Sequence, residues 1–213
     1  MKKFLPSVAS ANPICLDREI ERVSFLGHLH LDIEDGNFIP NITFGMKTVR
    51  AVADIWQGSM DAHLMVSNPS DYVDDLIDAG VRWLCFQVEA VPYPLAVLER
   101  IRSKGCKVGI ALNPATQPEG LLHLFELLDY CLVMTSEPDG RGQMFLTHME
   151  EKIKKLRGVL PPNRELWADG GIGVQEARSL FKIGVDRIVV GRAIFSAKDP
   201  VAWYKRLDLG ADS

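Results

Sequence analysis

Residues 83–112, WLCFQVEAVPYPLAVLERIRSKGCKVGIAL, contain a complete strand–helix–strand unit. Two short apolar runs, Trp83–Val88 and Lys107–Leu112, have the length of buried strands. Between them, Pro94–Lys104 repeats apolar residues at helical spacing and is followed by Gly105, a residue that frequently ends helices. Parallel strands need such a helical crossover, so this segment predicts a parallel β-sheet covered by helices.

The same alternation continues in both directions along the chain. The strand-like runs are Phe4–Val8, Leu29–Ile33, Asp61–Val66, Trp83–Val88, Lys107–Leu112, Tyr130–Thr135, Leu166–Asp169 and Arg187–Val190. The helical patterns are Asp17–Leu26, Met46–Ile55, Ser70–Ala79, Pro94–Lys104, Glu119–Leu127, His148–Leu160, Val174–Ile183 and one that begins at Pro200. Gly80 and Gly184 follow two other predicted helices, in the same position that Gly105 has after Pro94–Lys104. This strict alternation predicts successive βα units.

Eight such units in 213 residues predict an α/β protein with a single-domain (β/α)8 TIM barrel over residues 1–213. About 200 residues is near the lower size limit of that fold. A doubly wound open sheet is the alternative, but it favours a glycine-rich fingerprint after the first strand. The segment Ser7–Asn12 contains no glycine. The barrel is therefore the preferred prediction.

Composition and charge exclude several classes of protein. The chain has 24 basic and 28 acidic residues, a net charge of −4, which argues against binding nucleic acid through its phosphates. No apolar run approaches 18 residues, so we expect no membrane partner. The apolar stretch Phe4–Ala9 is shorter than that of a signal peptide, and the four cysteines form no Cys-x-x-Cys pair. We therefore expect a reduced, cytoplasmic protein.

The second predicted strand carries ionisable residues on a face that should be buried. Its odd-numbered positions hold leucine and isoleucine, which suit packing against the outer helices. Its even-numbered positions hold His28, His30, Asp32 and Glu34. Unpaired charge inside a barrel is costly, so these residues form either a salt-bridged polar layer or a functional site.

Two other strands direct polar residues to the same end of the barrel. Asp61, His63 and Met65 share one face of the third strand, and Asp169 ends the seventh strand before a glycine pair. Two histidines and two aspartates from three strands indicate a divalent-metal site with nitrogen and oxygen ligands.

Two carboxylates beside a metal suit inversion at a single carbon. One carboxylate removes a proton from the carbon next to a ketone, and the cation stabilises the resulting enediolate. The other carboxylate returns a proton to the opposite face. A Schiff-base aldolase is disfavoured, since no lysine ends a strand.

The chain resembles the ribulose-phosphate 3-epimerase family over nearly its whole length. The matching segments are Pro6-Ser7 with Ser10-Ala11, residues 30–45 (HLDIEDGNFIPNITFG), Asp61–Val66, Val88–Ala90, Leu112–Thr116, Val133–Thr135, Asp169–Ile172 and Gly191–Phe195. Decarboxylases of related barrels instead have an Asp-x-Lys-x-x-Asp arrangement, and this chain has no lysine within Asp32–Asp35.

The resemblance implies the (β/α)8 fold and a metal-dependent 3-epimerase of a pentulose 5-phosphate or hexulose 6-phosphate. A non-catalytic sugar-phosphate or metal-binding protein on the same barrel is the alternative from another class. Its implied metal ligands are His30, Asp32, His63 and Asp169, and the acid/base pair is Asp32 with Asp169. The implied substrate-binding residues are Ser7, His63, Met65, Met134, Gly140, Arg141, Gly142, Gly170, Gly171, Gly191 and Arg192. Zinc or iron is the expected metal, with manganese or cobalt as alternatives. A homo-oligomer, dimer or hexamer, is also implied.

The departures from the family pattern lie where substrate specificity would be set. Glu34 replaces a methionine of the family pocket and could bind the metal or raise the pKa of a neighbouring group. In the loop Glu137–Gln143, Asp139 and Arg141 replace glycines. Arg192 stands where the family usually has serine, and an arginine can bind phosphate in a bidentate manner. These changes resemble a divergent branch of the family, with a correspondingly open choice of substrate.

Overall fold

The computed structural model describes residues 3–139 and 142–208, which form a (β/α)8 barrel. The strands are β1 (Lys3–Pro6), β2 (His28–Glu34), β3 (Ser59–Met65), β4 (Trp83–Gln87), β5 (Lys107–Leu112), β6 (Tyr130–Met134), β7 (Glu165–Asp169) and β8 (Arg187–Val190). The α-helices are α1 (Leu16–Arg22), α2 (Met46–Ile55), α3 (Val73–Asp78), α4 (Pro94–Ser103), α5 (Leu122–Phe125), α6 (Met149–Val159), α7 (Val174–Lys182), α8 (Arg192–Phe195) and α9 (Pro200–Asp208).

All strand pairs are parallel, and the sheet order runs β1-β8-β7-β6-β5-β4-β3-β2. A single parallel bridge between Ser7 and His30 joins β1 to β2 and brings the two edges of the sheet together. The predicted (β/α)8 architecture is thus confirmed. Because every strand is parallel, all carboxyl ends meet at one mouth, where chemistry concentrates in such barrels.

Strand alternation separates two apolar clusters. Leu29, Leu31 and Ile33 pack outward against the helices, as their spacing predicts. The inner cluster fills the barrel and includes Leu5, Met65, Cys85, Ala111, Tyr130, Leu132, Met134, Trp167 and Val189. The even-numbered face of β2 is turned into this interior, and all four of its ionisable residues are buried. The inner face of β2 therefore places a column of ionisable residues against an otherwise apolar inner cluster.

Several predicted element limits need correction. β1 ends at Pro6 rather than Val8, because a 3-10 turn begins at Val8. The predicted helices Asp17–Leu26 and Glu119–Leu127 are shorter and are partly 3-10 in geometry. The helix predicted over Ser70–Ala79 begins only at Val73, after a 3-10 turn at Pro69–Asp71. The sequence reading also missed α8, whose four residues are too short for a periodic pattern.

Within residues 3–139 and 142–208, no helix has the length and apolar character needed to cross a membrane. The cysteines Cys15, Cys85, Cys106 and Cys131 are free. Cys85 and Cys131 are fully buried, as the apolar runs that contain them predict. Burial raises the pKa of the Cys131 thiol to about 12, which keeps it protonated and unreactive.

Candidate active site

A cavity of about 680 Å³ opens at the carboxyl ends of the strands. Its lining comes from the ends or following loops of β1, β2, β6, β7 and β8: Ser7, Ala9, Ser10, Asp32, Glu34, Asn41, Thr43, Gly142, Gln143, Asp169, Gly171, Ile172, Gly173, Val189, Gly191, Arg192 and Ala193. Ser7, Asp32, Asp169, Gly171, Gly191 and Arg192, all predicted as site residues, thus meet in one space.

The four predicted metal ligands converge at the floor of this cavity. One ligand atom each from His30, Asp32, His63 and Asp169 lies within 4.8 Å of the others, and all four residues are buried. His30 Nε2 is 3.0 Å from Asp32 Oδ1 and 4.0 Å from Asp169 Oδ2. His63 Nδ1 is 3.3 Å from Asp32 Oδ1 and 3.7 Å from Asp169 Oδ2. The strand register explains why His63 and Asp32 are close, because His63 of β3 lies directly beside Asp32 of β2.

The surroundings of His63 Nδ1 indicate whether a metal fits this cluster. The atom is fully buried and makes no hydrogen bond with any described residue. Buried polar atoms normally have a partner. A cation held by two imidazole nitrogens and two carboxylate oxygens would satisfy His63 Nδ1, and this donor set suits a divalent transition metal. The residues present therefore fit a metal.

Asp61 fixes the orientation of His30 from behind. Its carboxylate is 2.6 Å from His30 Nδ1 and 2.7 Å from His28 Nε2. Burial would raise the pKa of Asp61, but the charge of His30 and hydrogen bonds from both histidines lower it to about 2. An anionic Asp61 holds the proton on His30 Nδ1 and leaves Nε2 free to face the cluster.

The two aspartates of the cluster occupy different electrostatic environments. Burial alone would raise the pKa of Asp32, but the charge of His30, the hydrogen bond from His30 and the nearby His63 ring hold it well below its usual range. Burial and the charge of Asp32 raise the pKa of Asp169, and the nearby His63 ring offsets this only in part. Ser7 Oγ also donates to Asp32 Oδ2 at 2.5 Å. The carboxylates are chemically inequivalent.

Glu34 lies at the tip of β2, two residues beyond Asp32, and also lines the cavity. Asn41 Nδ2 donates to Glu34 Oε2. Burial, followed by the charge of Asp32, raises the pKa of Glu34 to about 7. Glu34 is absent from the four-residue cluster, so the geometry does not support it as a metal ligand.

The opposite side of the cavity is formed by backbone and by one guanidinium group. Arg192 Nη2 donates to the carbonyl oxygen of Gln143, which ties α8 to the loop after β6. Gly171 has φ = 67°, and a Cβ there would lie 2.5 Å from the backbone nitrogen of Phe145. Only glycine permits this approach between the loops after β6 and β7.

Some predicted site residues lie elsewhere. Met65 and Met134 are buried in the inner cluster and do not line the cavity. Gly170 lies behind the cavity wall, where an added Cβ would be 2.3 Å from Ser136 Oγ. Gly140 and Arg141 lie outside the described residues.

Sequence reasoning missed three polar residues of the site. Asp61 was placed on the correct face but was given no role, although its position beside His30 in the register is the signal. Asn41 and Thr43 come from the loop after β2, where no periodicity predicts side-chain direction. Thr43 Oγ1 donates to the carbonyl oxygen of Asp32 at 2.6 Å and accepts from the backbone of Glu34 at 3.2 Å.

Two structural neighbours share the fold at low sequence identity. KGPDC from Streptococcus mutans superimposes with a TM-score of 0.72 at 11% identity, covering 98% of this chain and 96% of that chain. The thiamine phosphate pyrophosphorylase from Pyrococcus furiosus gives 0.66 at 16% identity, covering 98% of this chain and 94% of that one. At such identities these similarities establish the barrel alone.

Sequence comparison is more specific. The chain is 36% identical to the cytoplasmic isoform of ribulose-phosphate 3-epimerase from Oryza sativa, over 93% of this chain and 89% of the rice protein. It is 33% identical to the Bacillus subtilis ribulose-phosphate 3-epimerase, over 93% and 94% of the two chains. The profile of the ribulose-phosphate 3 epimerase family matches residues 3–195. The chain therefore belongs to the ribulose-phosphate 3-epimerase family of carbohydrate isomerases.

Proposed function

We propose that the protein is a metal-dependent ketose-phosphate 3-epimerase that uses Asp32 and Asp169 as its acid/base pair. The observation that carries the proposal is the convergence of these two carboxylates, from strands three positions apart in the barrel, on the same pair of histidines. Both side chains line the cavity, where a substrate carbon can lie between them.

In the proposed reaction, one aspartate removes the proton from C3, and the C–H electron pair moves into the C2–C3 bond to form an enediolate. The other aspartate then donates a proton to the opposite face of C3, and the C2 carbonyl is restored. The protonation states of the pair are thereby exchanged, and the configuration at C3 is inverted. Ser7, which donates to Asp32, orients the carboxylate during this transfer.

His30 Nε2, His63 Nδ1 and one oxygen each of Asp32 and Asp169 would hold the metal, with Asp61 orienting His30. A divalent cation, zinc or iron first and manganese or cobalt as alternatives, would supply positive charge that favours the enediolate oxygens. Met65 and Met134, which are buried beside Glu34 and Asp169 in the strand register, would limit the access of water to the metal-binding cluster.

The phosphate of the substrate would bind at the wall formed by Gly142, Gly171, Gly191 and Arg192. Arg192 provides a cation there, and the glycines let backbone amides approach closely. Asp32, Glu34 and Asp169 would repel a phosphate from the other side of the cavity.

Homo-oligomerisation and a cytoplasmic location stay predictions. Light scattering on the purified protein tests whether it forms a homo-oligomer.

Proton exchange at C3 tests the function directly. Metal-loaded protein in D2O is offered D-ribulose 5-phosphate and a hexulose 6-phosphate in parallel, and both are followed by NMR. We expect deuterium at C3 together with the epimer. Exchange without the epimer would contradict the role of the second aspartate. Binding without any exchange would instead favour a non-catalytic sugar-phosphate-binding protein.

A further inference from the structure

The cavity has three chemically distinct regions. The metal-ligating carboxylates form the floor. The loops after β6, β7 and β8 form a wall of glycine backbone with Arg192. On the other side, Glu34, Asn41 and Thr43 extend from the end of β2 and its following loop. β2 and β6 are four strands apart in an eight-stranded barrel, so the Glu34 side and the Gly142 side face each other across the mouth.

Glu34 is held in place by its surroundings. Asn41 donates to Glu34 Oε2, and among the described residues it is the side chain that binds this carboxylate. The loop that carries Asn41 is fastened by Asp35, whose carboxylate accepts from the backbone of Phe38 at 2.9 Å and of Ser67 at 2.8 Å. An antiparallel bridge between Asp35 and Ile42 closes the same loop. The Glu34 carboxylate therefore needs little reorganisation to bind a ligand.

The charge of this region determines what it can bind. Glu34 is 8% exposed, and Met65 lies beside it in the strand register. A carboxyl group in such surroundings needs hydrogen-bond partners, and Asn41 provides one of them. Asp32 lies about 7 Å away along the strand, so an anionic ligand group is repelled. A neutral hydroxyl group can form a hydrogen bond with the Glu34 carboxylate and carries no negative charge that Asp32 would repel.

We infer that Glu34, positioned by Asn41, binds the C1 hydroxymethyl group of the ketose and selects substrates that carry this hydroxyl. The inference rests on the proposed function. A ketose phosphate has the phosphate at one end, the reacting C2 and C3 atoms in the middle and the C1 hydroxyl at the other end. With the phosphate at the Arg192 wall and C2–C3 over the floor, C1 points toward Glu34. A methionine, the residue of the resembling family here, would offer this hydroxyl no comparable hydrogen bond.

The test compares D-xylulose 5-phosphate with its 1-deoxy analogue, which differ only in the C1 hydroxyl. The readout is kcat/KM for solvent-deuterium incorporation at C3, with the metal-loaded full chain. For the unsubstituted protein we expect a loss of about 10- to 100-fold with the 1-deoxy sugar, because a site built to bind a hydroxyl is left with an unpaired polar group.

The substitution Glu34→Met is expected to reduce this preference to less than about threefold, while Glu34→Gln retains most of it because an amide still binds a hydroxyl. Glu99→Met, on the exposed surface of α4, is the matched control and should leave the preference unchanged. If Glu34→Met does not fold, Glu34→Leu takes its place, because leucine also removes every hydrogen-bonding atom at this position.

The outcomes separate the two proposals. Equal rates with both sugars in the unsubstituted protein would overturn the role of Glu34 and leave the epimerase function standing. A strong preference of the Glu34→Met variant for the sugar with the C1 hydroxyl would also overturn the role of Glu34. Absence of exchange with either sugar would overturn the proposed function, and this inference with it.

Discussion

Both ends of the barrel carry charged residues, but they use them differently. At the carboxyl end, buried carboxylates and histidines crowd together, and His63 Nδ1 makes no hydrogen bond with any described residue. At the amino end, Arg187 donates to both oxygens of Glu165, at 2.6 and 3.0 Å. Trp167 Nε1 also donates to Glu165 at 2.7 Å.

The amino end is closed by stacked rings and cations. Tyr130 and Trp167 stack with ring centroids 4.1 Å apart, and Trp83 packs against both. The guanidinium carbon of Arg187 is 4.3 Å from the Trp83 ring, a cation–π contact, and Lys107 Nζ lies 4.2 Å from the same ring. Charge at this end is paired and therefore stabilises the barrel, whereas charge at the mouth is arranged for a ligand. Substitutions should accordingly separate activity from stability.

The largest loss of activity is expected from the acid/base pair. Asp32→Asn or Asp169→Asn removes a proton acceptor, so kcat should fall about 1,000-fold, within the range of about 100- to 10,000-fold typical of general acid–base catalysis. The unfolding midpoint should stay close to that of the unsubstituted protein. Asp54→Asn, exposed on α2, is the matched control. Near-normal turnover in either active-site variant would contradict the two-carboxylate mechanism.

A smaller loss of metal affinity and activity is expected when the His30 ring is no longer held in its orientation by Asp61. Asp61→Asn weakens the partner of His30 Nδ1, and changes to such partners typically cost 10- to 100-fold in metal affinity or activity. Metal affinity, measured by competition with a chelator, is the direct readout. His28→Gln should have a weaker effect, because His28 contacts the other oxygen of Asp61 and not the cluster. Equal affinity in the unsubstituted protein and Asp61→Asn would show that Asp61 has no positioning role.

The sequence could predict those features of the site that strand geometry determines, but not those that depend on contacts between distant residues. Alternation along β2 predicted the inward face of His28, His30, Asp32 and Glu34, because strand periodicity fixes side-chain direction. It could not predict that Asn41 binds Glu34, since a loop's path depends on contacts such as those of Asp35. The arginine–tryptophan packing at the amino end also went unpredicted. Trp83 starts β4, Trp167 lies in β7 and Arg187 starts β8, so these residues are far apart in sequence and only barrel closure brings them together.

A moderate effect on substrate binding is expected from Arg192. Arg192→Ala should raise KM for a phosphorylated ketose about 10-fold, the value of one charge-assisted hydrogen bond at an exposed site. Arg192→Lys should recover part of the loss, because it keeps the charge without the bidentate geometry. The corresponding unphosphorylated ketose provides the internal control, since its KM should not change. An unchanged KM for the phosphorylated sugar would place the phosphate elsewhere.

At the amino end, no effect on turnover is expected, only a loss of stability. Arg187→Met removes the partner of Glu165 and should lower the free energy of unfolding by about 1–3 kcal/mol, measured by urea denaturation. Arg100→Met, which breaks the exposed pair with Asp74, should shift the urea midpoint much less than Arg187→Met does, because exposed ion pairs contribute little to stability. A fall in kcat for Arg187→Met with intact fold would show that the two ends are coupled.

The stability difference between Arg187→Met and the unsubstituted protein should also depend on pH. Burial raises the pKa of Glu165, but hydrogen bonds from Arg187 and Trp167 outweigh it and place the pKa below the ordinary value of 4.5. A lowered pKa means that the ionised carboxylate stabilises the folded state at neutral pH, and that this contribution is lost as pH falls through the folded-state pKa. The difference should therefore be constant from pH 8 to about pH 5 and narrow below about pH 4. A difference that stays constant into acid would mean that Arg187 stabilises the barrel through its packing on Trp83 and Trp167 rather than through Glu165.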